Sequence, residues 1–288
     1  MADTVLKHMK KGGTGEVLMV NSAGIYLSTD DRIWLLCDIS WGMVPIGIAI
    51  EGFADLLARL GIEPGQTFSF CENALIFSGR VLYLRPTAPV DFHCDSATPR
   101  VDLIRKAAED IANLRKTRGI SMLVIPLVLG DLSRDVVSLN PYCTRAYQQL
   151  TRLMQALSDE ANEAVRACVD SLLGLGTGLT PSADDVMLGM IYTFRKLGGE
   201  APRSARVLCD SVLDMCDTHT NKVSAAYLKA VVDGAYFERV ERVFNGLCEN
   251  EPLSTSLLLE IGGSSGTEML LGMLCALGVA GYRIITEK

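Results

Sequence analysis

The 288 residues of the chain, 49% of them hydrophobic, are enough for about two globular domains with a sizeable core. A formal net charge of −7, with no Lys/Arg cluster interleaved with aromatic residues, argues against a nucleic-acid-binding protein. Nine cysteines without a C-x-x-C pair argue against a disulfide framework or a zinc site, and no apolar stretch is long enough to span a bilayer, so we expect a cytoplasmic protein that neither spans nor binds a membrane.

The first hundred residues contain short apolar segments separated by Gly, Pro, Asn and Asp, a pattern that predicts strands. The predicted strands are residues 16–20, 24–27, 34–38, 67–71, 74–77 and 81–84. A brief amphipathic helix is predicted over residues 53–60, closed by Gly61. Residues 1–97 are therefore predicted to form a small β-rich sheet or partial barrel.

The rest of the chain, residues 98–288, is predicted to be mainly helical. A helix is expected over residues 101–118, a buried strand over 122–128, and helices from about residue 144 onward. Because no long linker separates the two parts, we expect an α+β protein whose N-terminal β-rich part packs on a mostly helical C-terminal part.

Residues 174–185 read Gly-Leu-Gly-Thr-Gly-Leu-Thr-Pro-Ser-Ala-Asp-Asp, a glycine-rich loop that opens a helix. The unpaired N–H groups at a helix start, together with the positive end of the helix dipole, favour an anion such as phosphate or carboxylate. The spacing is neither that of a P-loop nor G-x-G-x-x-G. A simpler interpretation is that the glycines only end the preceding helix and turn into the next one.

A second copy of the pattern lies 83 positions downstream, where Ser265–Leu274 repeats the serine, the acid and the Leu-Gly-Met of Ser182–Ile191. In each copy a serine precedes an acid by three residues, which predicts a capping box. Gly189 and Gly272 lie inside predicted helices, where glycine costs about 1 kcal/mol relative to alanine. A close approach of the two helices would explain both glycines, so we expect the helices to pack closely. If these helices are parallel, both N-termini can converge on one anion.

A helical wheel places Asp184 within the apolar arc and Asp185 on the opposite, solvent side. We therefore expect Asp185 to be mainly a capping acid. A carboxylate that faces a core needs a partner, and the candidates for Asp184 are a loop N–H, Arg195 or Lys222, a substrate amine, or a metal ion. Two carboxylates beside an anion require either Mg²⁺ or a substrate that also carries N–H donors.

The three histidines add little, because His8 and His93 stand alone and His219 lies in a polar cluster, residues 218–222, that helix capping explains about as well as chemistry does. Lys222 is the nearest candidate cation for an anionic substrate.

The string G-L-G-x-G-L-T-P-S-x-D-D within residues 172–185, together with residues 262–268, resembles the bacterial family that includes a subunit of oxamate carbamoyltransferase, from anaerobic allantoin breakdown. The chain departs from that family at Ala183, where members usually carry Gly, and at Gly263, where they usually carry His. The resemblance covers roughly residues 165–285 and extends to nothing catalytic before residue 100.

The resemblance implies reversible carbamoyl transfer between carbamoyl phosphate and oxamate, by an enzyme built from different subunits. Carbamoyl phosphate would supply an anion for the loop and an NH₂ group for Asp184. Asp184 and Asp185 are the candidate catalytic residues. No metal ligand is assigned, and the cofactor is undetermined, with Mg²⁺ an option. The candidate substrate-binding residues are Gly176, Thr177, Gly178, Thr180, Ser182, Lys222, Ser264, Ser265 and Gly266.

Two other functions fit the same residues. One is a phosphotransferase that uses Mg²⁺ at Asp184 and Asp185. The other is a non-catalytic subunit whose loops bind a small regulatory anion while catalysis takes place on a partner chain. The sequence has no evident Ser-His or Cys-His nucleophile set. The regulatory subunit therefore stays open beside the enzyme.

Overall fold

The computed structural model describes residues 5, 9–21, 24–30, 32–84, 98–114, 119–259 and 261–284. The chain divides into two compact units. The first unit is Met1–Phe92 with Ala235–Arg239, and the second is His93–Gly234 with Val240–Lys288. His8 and His93 lie outside the described residues. The domain boundary expected after residue 97 stays a prediction.

The first unit contains a seven-stranded sheet that curls into a half-barrel, in the order β4-β3-β2-β1-β5-β6-β7. Its strands are β1 (Gly13–Asn21), β2 (Gly24–Ser28), β3 (Ile33–Asp38), β4 (Gly47–Ile50), β5 (Thr67–Cys71), β6 (Ala74–Phe77) and β7 (Arg80–Tyr83). Neighbouring strands are antiparallel except β3 and β4, which are parallel. The short helix α1 (Phe53–Leu60) ends at Gly61, which has a left-handed φ of 55°.

The core of this unit contains a cluster of aromatic side chains among aliphatic ones. Trp34 on β3 packs edge-on against Phe70, with ring centroids 4.8 Å apart, and lies beside Phe68 on the same strand as Phe70. The alternating pattern predicted six of the seven strands. It missed β4, a four-residue segment whose partner β3 is parallel and therefore not joined to it by a tight hairpin turn.

The second unit is helical, which together with the sheet confirms the α+β fold class. Its helices are α2 (Val101–Ala112), α3 (Val124–Leu127), α4 (Pro141–Ser158), α5 (Asn162–Leu172), α6 (Ser182–Leu197), α7 (Ser204–His219), α8 (Lys222–Val232), α9 (Glu238–Leu247), α10 (Ser256–Leu259) and α11 (Ser265–Val279). Helix α9 begins in the segment assigned to the first unit. No helix in the described residues is long and apolar enough to cross a membrane.

Two sequence predictions in this unit need correction. The helix predicted over 101–118 ends at Ala112, and residues 115–118 lie outside the described part of the chain. The strand predicted over 122–128 is wrong, because that segment forms a 3-10 turn, Ser121–Leu123, followed by α3. A short apolar run is consistent with either a buried strand or a buried helical turn, and periodicity cannot separate them.

Candidate functional site

Helices α6 and α11 are the two copies of the sequence repeat, and they pack through their glycines. A Cβ atom added at Gly189 would lie 2.0 Å from the carbonyl oxygen of Met269, and one added at Gly272 would lie 2.0 Å from that of Val186. Each glycine therefore lies directly on the main chain of the other helix. The predicted close approach is confirmed, and the two copies contact each other through equivalent positions.

The starts of the two helices lie side by side. The hydroxyl oxygens of Thr180, just before α6, and Ser265, the first residue of α11, are 3.0 Å apart. Since their N-terminal ends meet and their midpoints pack together, α6 and α11 are parallel. The structure thus brings together the two segments that the sequence repeat linked, although they are far apart in the chain.

The predicted capping boxes do not form. Helix α6 has Pro181 at its cap position with no side-chain cap bond. The Ser182 hydroxyl instead bonds the carboxylate of Glu268 in the other copy, and the Ser265 hydroxyl lies close enough to the Asp185 carboxyl to affect its pKa. Ser182 is thus paired with the acid of the other copy, whereas the Ser265 hydroxyl bonds Thr180, which in turn bonds Asp185.

Asp184 is fully buried and holds three parts of the fold together. Its Oδ1 accepts the main-chain N–H of Gly174 at 2.8 Å, which confirms the predicted bond to a loop N–H. Its Oδ2 accepts the hydroxyls of Thr220 and Ser224, the latter at 2.6 Å. These donors join the glycine loop to the segment where α7 passes into α8.

The basic partners suggested for Asp184 do not take part in this arrangement. Arg195 Nη1 donates to the main-chain carbonyl of Val232. Lys222 is exposed at the first position of α8. Asn221 caps α8 by accepting from two of its N–H groups, and its amide also donates to the carbonyl of Leu179 at 2.9 Å. The capping interpretation of this polar cluster is confirmed for Asn221.

Glu268 is the second buried acid, and both of its carboxylate oxygens also accept hydrogen bonds. Its Oε1 accepts the main-chain N–H of Ile120 at 2.9 Å, and its Oε2 accepts the hydroxyl of Ser264 at 3.0 Å. The Ser182 hydroxyl is a third donor. Gly119 has a φ of 70° and no room for a side chain, since a Cβ there would lie 1.9 Å from Glu268 Oε1.

Asp185 differs from the other two acids. The hydroxyl of Thr180 donates to its Oδ2 at 3.0 Å, while its Oδ1 is buried and has no hydrogen-bond partner among the described residues. The expectation that Asp185 faces solvent is wrong, since its exposure is 0%. The wheel failed because α6 is covered on more than its apolar side, with α11 lying along the face that carries Asp185.

All three carboxyl groups have raised pKa values. Burial raises the pKa of Asp184 and of Glu268, opposed in each case by hydroxyl and main-chain donors. Burial raises the pKa of Asp185 well above its ordinary 3.8, and the nearby charge of Glu268 raises it further. An acid that is both desolvated and incompletely hydrogen-bonded favours its neutral form most strongly.

The first glycine loop, residues 174–181, has left-handed or otherwise positive φ at Gly174, Gly176 and Gly178. Two of these glycines also permit close packing, since a Cβ at Gly174 would lie 2.2 Å from the His219 carbonyl oxygen and one at Gly176 would lie 2.4 Å from the Ser182 nitrogen. Gly178 has no such contact within 3.4 Å. Backbone conformation therefore favours glycine at all three positions, and close packing adds a second reason at Gly174 and Gly176 only.

The two loops present unbonded main-chain donors. Within the described residues, the N–H groups of residues 176–180 donate to no protein acceptor. The same holds for residues 262–264 of the second glycine loop, which we define as residues 261–264, and for Ser265 at the start of α11. The exposed residues of the two loops are Thr177, Gly178, Gly262 and Gly263, which we call the exposed rim. This is the arrangement that suits a small anion at paired helix starts.

Gly266, a candidate for substrate binding, is buried, and a Cβ there would lie 1.8 Å from the carbonyl oxygen of Leu258. Its small size serves packing. No local sequence pattern pointed to the roles of Gly119, Ile120 and Ser224. A helix-capping cluster at residues 218–222 did point to the segment that contains Thr220, but not to its bond with Asp184.

The described part of the chain contains no group of three His, Cys, Asp or Glu side chains arranged to hold a metal ion. The oxygens of Asp184 are occupied by protein donors, and Asp185 is enclosed. These residues do not fit the Mg²⁺ site considered as an option from the sequence, because Mg²⁺ prefers several accessible oxygen ligands and bound waters.

Residues 172–277 match the family model of the oxamate carbamoyltransferase subunit AllH. The matched segment begins at the end of α5, contains both glycine loops and ends in α11. The family resemblance of the motif is thereby confirmed over little more than a third of the chain. No solved structure matches the chain.

Proposed function

We propose, from the match of residues 172–277 to an oxamate carbamoyltransferase subunit, that the protein is a subunit of a cytoplasmic enzyme of this kind and assembles with other subunits. The reaction is carbamoyl transfer between carbamoyl phosphate and a small amide such as oxamate. The observation that carries the proposal is the pairing of two glycine loops at adjacent, parallel helix starts, with Thr180 and Ser265 in contact.

The loops suit the phosphate of carbamoyl phosphate. Unbonded N–H groups from both loops and two positive helix ends favour one anion between them. Lys222 lies next in sequence to Asn221, which bonds the first loop at Leu179, so its charge adds to the attraction. As the acceptor nitrogen attacks, negative charge develops on the carbamoyl oxygen, and preorganised donors stabilise that charge.

Asp184 and Asp185 have different roles in this proposal. We propose that Asp184 positions the first loop, since its protein donors already use both of its oxygens. Asp185 retains an oxygen without a partner and is the acid available for chemistry. This reverses the order of importance suggested by the helical wheel.

The Mg²⁺ phosphotransferase is the weaker alternative, because neither aspartate presents the accessible oxygens that the ion requires. The regulatory subunit remains an alternative, since the same loops suit an anion that is bound and not converted. Tight binding by this chain alone, with no contribution of its loop residues to turnover in the assembled enzyme, would favour the regulatory subunit.

The test is titration calorimetry on the full chain with inorganic phosphate and with carbamoyl phosphate, at low ionic strength. We compare Gly263→Asp with Gly263→Asn, since a Cβ at Gly263 meets nothing within 4 Å and the two variants differ in charge. The aspartate should weaken phosphate binding about tenfold relative to the asparagine. Gly199→Asp, at an equally open glycine of another segment, controls for net charge. Equal affinities for the two Gly263 variants would remove the second loop from the anion site.

A further inference from the structure

Two successive hydrogen bonds connect the side chains of Ser265, Thr180 and Asp185, from the half-buried helix starts to the enclosed carboxyl group. Ser265 Oγ and Thr180 Oγ1 are 3.0 Å apart, and Thr180 Oγ1 is 3.0 Å from Asp185 Oδ2. Ser265 and Thr180 are partly exposed, whereas Asp185 is not. Hydroxyl groups that connect a reachable position to a buried carboxylate are suited to carrying a proton.

The direction of these hydrogen bonds follows from the carboxylate end. An ionised carboxylate only accepts, so Thr180 uses its single hydroxyl proton toward Asp185. Ser265 must then be the donor in its contact with Thr180. A lone pair on Ser265 Oγ is left to accept a proton from a molecule bound between the loops.

We infer that Ser265 and Thr180 relay a proton from the acceptor nitrogen of the substrate to Asp185 during carbamoyl transfer. This inference rests on the proposed function. An amide nitrogen is a weak nucleophile because its lone pair is delocalised into the carbonyl group, so the attack needs a base. Asp185 is the acid whose Oδ1 has no partner among the described residues, whereas both oxygens of Asp184 and both oxygens of Glu268 accept at least one hydrogen bond.

The atoms balance as follows. A bond forms between the acceptor nitrogen and the carbamoyl carbon, and the bond from that carbon to the phosphate oxygen breaks, its electron pair leaving with phosphate. The N–H proton passes to Ser265 Oγ, the Ser265 proton to Thr180 Oγ1, and the Thr180 proton to Asp185 Oδ2. Asp185 returns its proton along the same path, to the departing phosphate or to water.

The surroundings make Asp185 a stronger base than an ordinary aspartate. Burial is the main cause of its raised pKa, and the carboxyl groups of Glu268, on α11, and of Asp184, on its own helix, raise it further. The Ser265 and Thr180 hydroxyls lower it. A base is most effective when its pKa is close to the working pH, and the raised pKa of Asp185 is a shift in that direction.

The experiment measures kcat and KM of the assembled enzyme with the wild-type chain, Thr180→Val, Thr180→Ser and Asp185→Asn. Thr180→Val keeps the shape but removes the hydroxyl. It should lower kcat about 100-fold, the lower end of the usual effect of general base catalysis, with less change in KM for carbamoyl phosphate. Thr180→Ser should recover most of that loss. Thr151→Val, at an exposed position of α4, is the matched control for threonine replacement.

A pH profile separates proton transfer from a merely structural role. The wild-type rate should fall on the acid side as Asp185 becomes protonated, and Asp185→Asn should have a low rate without that acid limb. Thermal unfolding and phosphate calorimetry of each variant show whether it folds and binds.

The outcomes distinguish the relay from the proposed function. A folded Thr180→Val enzyme with wild-type kcat would overturn the relay and leave the carbamoyltransferase assignment intact. A wild-type assembly that does not turn over carbamoyl phosphate with oxamate, or that needs no copy of this chain to do so, would overturn the proposed function.

Discussion

Gly189 and Gly272 are equivalent residues of two repeated helices, and each lies against the main chain of the other helix. A Cβ at either position would be 2.0 Å from a carbonyl oxygen, that of Met269 or of Val186. Residues that are equivalent in the sequence repeat thus make equivalent contacts, and an approximate two-fold symmetry relates the two helices. The parallel packing that results brings both helix starts, and the acids beneath them, into one site.

The first prediction concerns these glycines. Gly189→Ala and Gly272→Ala should each destabilise the fold by about 1–3 kcal/mol, because overpacking at a backbone contact outweighs the better helix propensity of alanine. Urea unfolding measures the effect. Gly199→Ala, where a Cβ meets nothing within 4 Å, should be close to neutral. Equal stability of all three variants would contradict the packing described above.

The second prediction is that Asp184→Asn lowers stability by about 1–3 kcal/mol, since the amide cannot accept all three donors and leaves a buried group unpaired. Phosphate affinity should fall as well, because the first glycine loop loses its anchor at Gly174. Combined with Ser224→Ala, the two losses should not add, as both remove the same bond.

Asp214→Asn, in an exposed ion pair with Arg166, is the control for the charge change and should shift stability little. Additive losses for Asp184→Asn and Ser224→Ala in chemical unfolding would show that Asp184 does not act through this hydroxyl.

The third prediction concerns pH. The folded-state pKa of Asp185 lies well above its ordinary 3.8, so the folded protein binds more protons than the unfolded chain between those two values. Stability should therefore fall as the pH rises through that window. Asp185→Asn removes the buried charge and should raise Tm at pH 7 to 8, by about 2–4 °C for each kcal/mol.

The gain in Tm from Asp185→Asn should shrink as the pH approaches 4, because the wild-type carboxyl is then protonated. Activity of the assembled enzyme should nevertheless be lower. A Tm difference that does not change with pH would mean that Asp185 does not titrate as its surroundings imply.

The fourth prediction uses the departure at Gly263, where the resembling family usually carries histidine. A Cβ there meets no atom of the described residues within 4 Å, so Gly263→His should fold normally. The imidazole would lie beside Ser264 on the exposed rim and, when protonated, should strengthen phosphate binding as the pH falls below about 6.5. Calorimetry at pH 6 and pH 8 checks this. The same affinity at both values, relative to Gly263→Asn, would contradict it.

Much of the fold follows from local sequence patterns. Alternation and turn residues predicted most strands of the half-barrel because period-two burial is encoded in neighbouring residues. The strand β4 and the helical turn α3 escaped prediction, since a parallel partner and the depth of burial are set by distant parts of the chain. Residues 174–185 and their repeat predicted two adjacent helix starts, because glycines and helix-starting residues act through local backbone geometry.

Tertiary structure alone decided the roles of the acids. Asp184 and Asp185 are adjacent and chemically identical, so no local rule separates them. Asp184 bonds Thr220, which lies between α7 and α8, and Ser224 of α8, while Asp185 lies against α11 and has one oxygen without a partner among the described residues. Most of their hydrogen-bond partners come from other segments of the chain, and only the packing of those segments determines which carboxyl group is fully hydrogen-bonded and which is not.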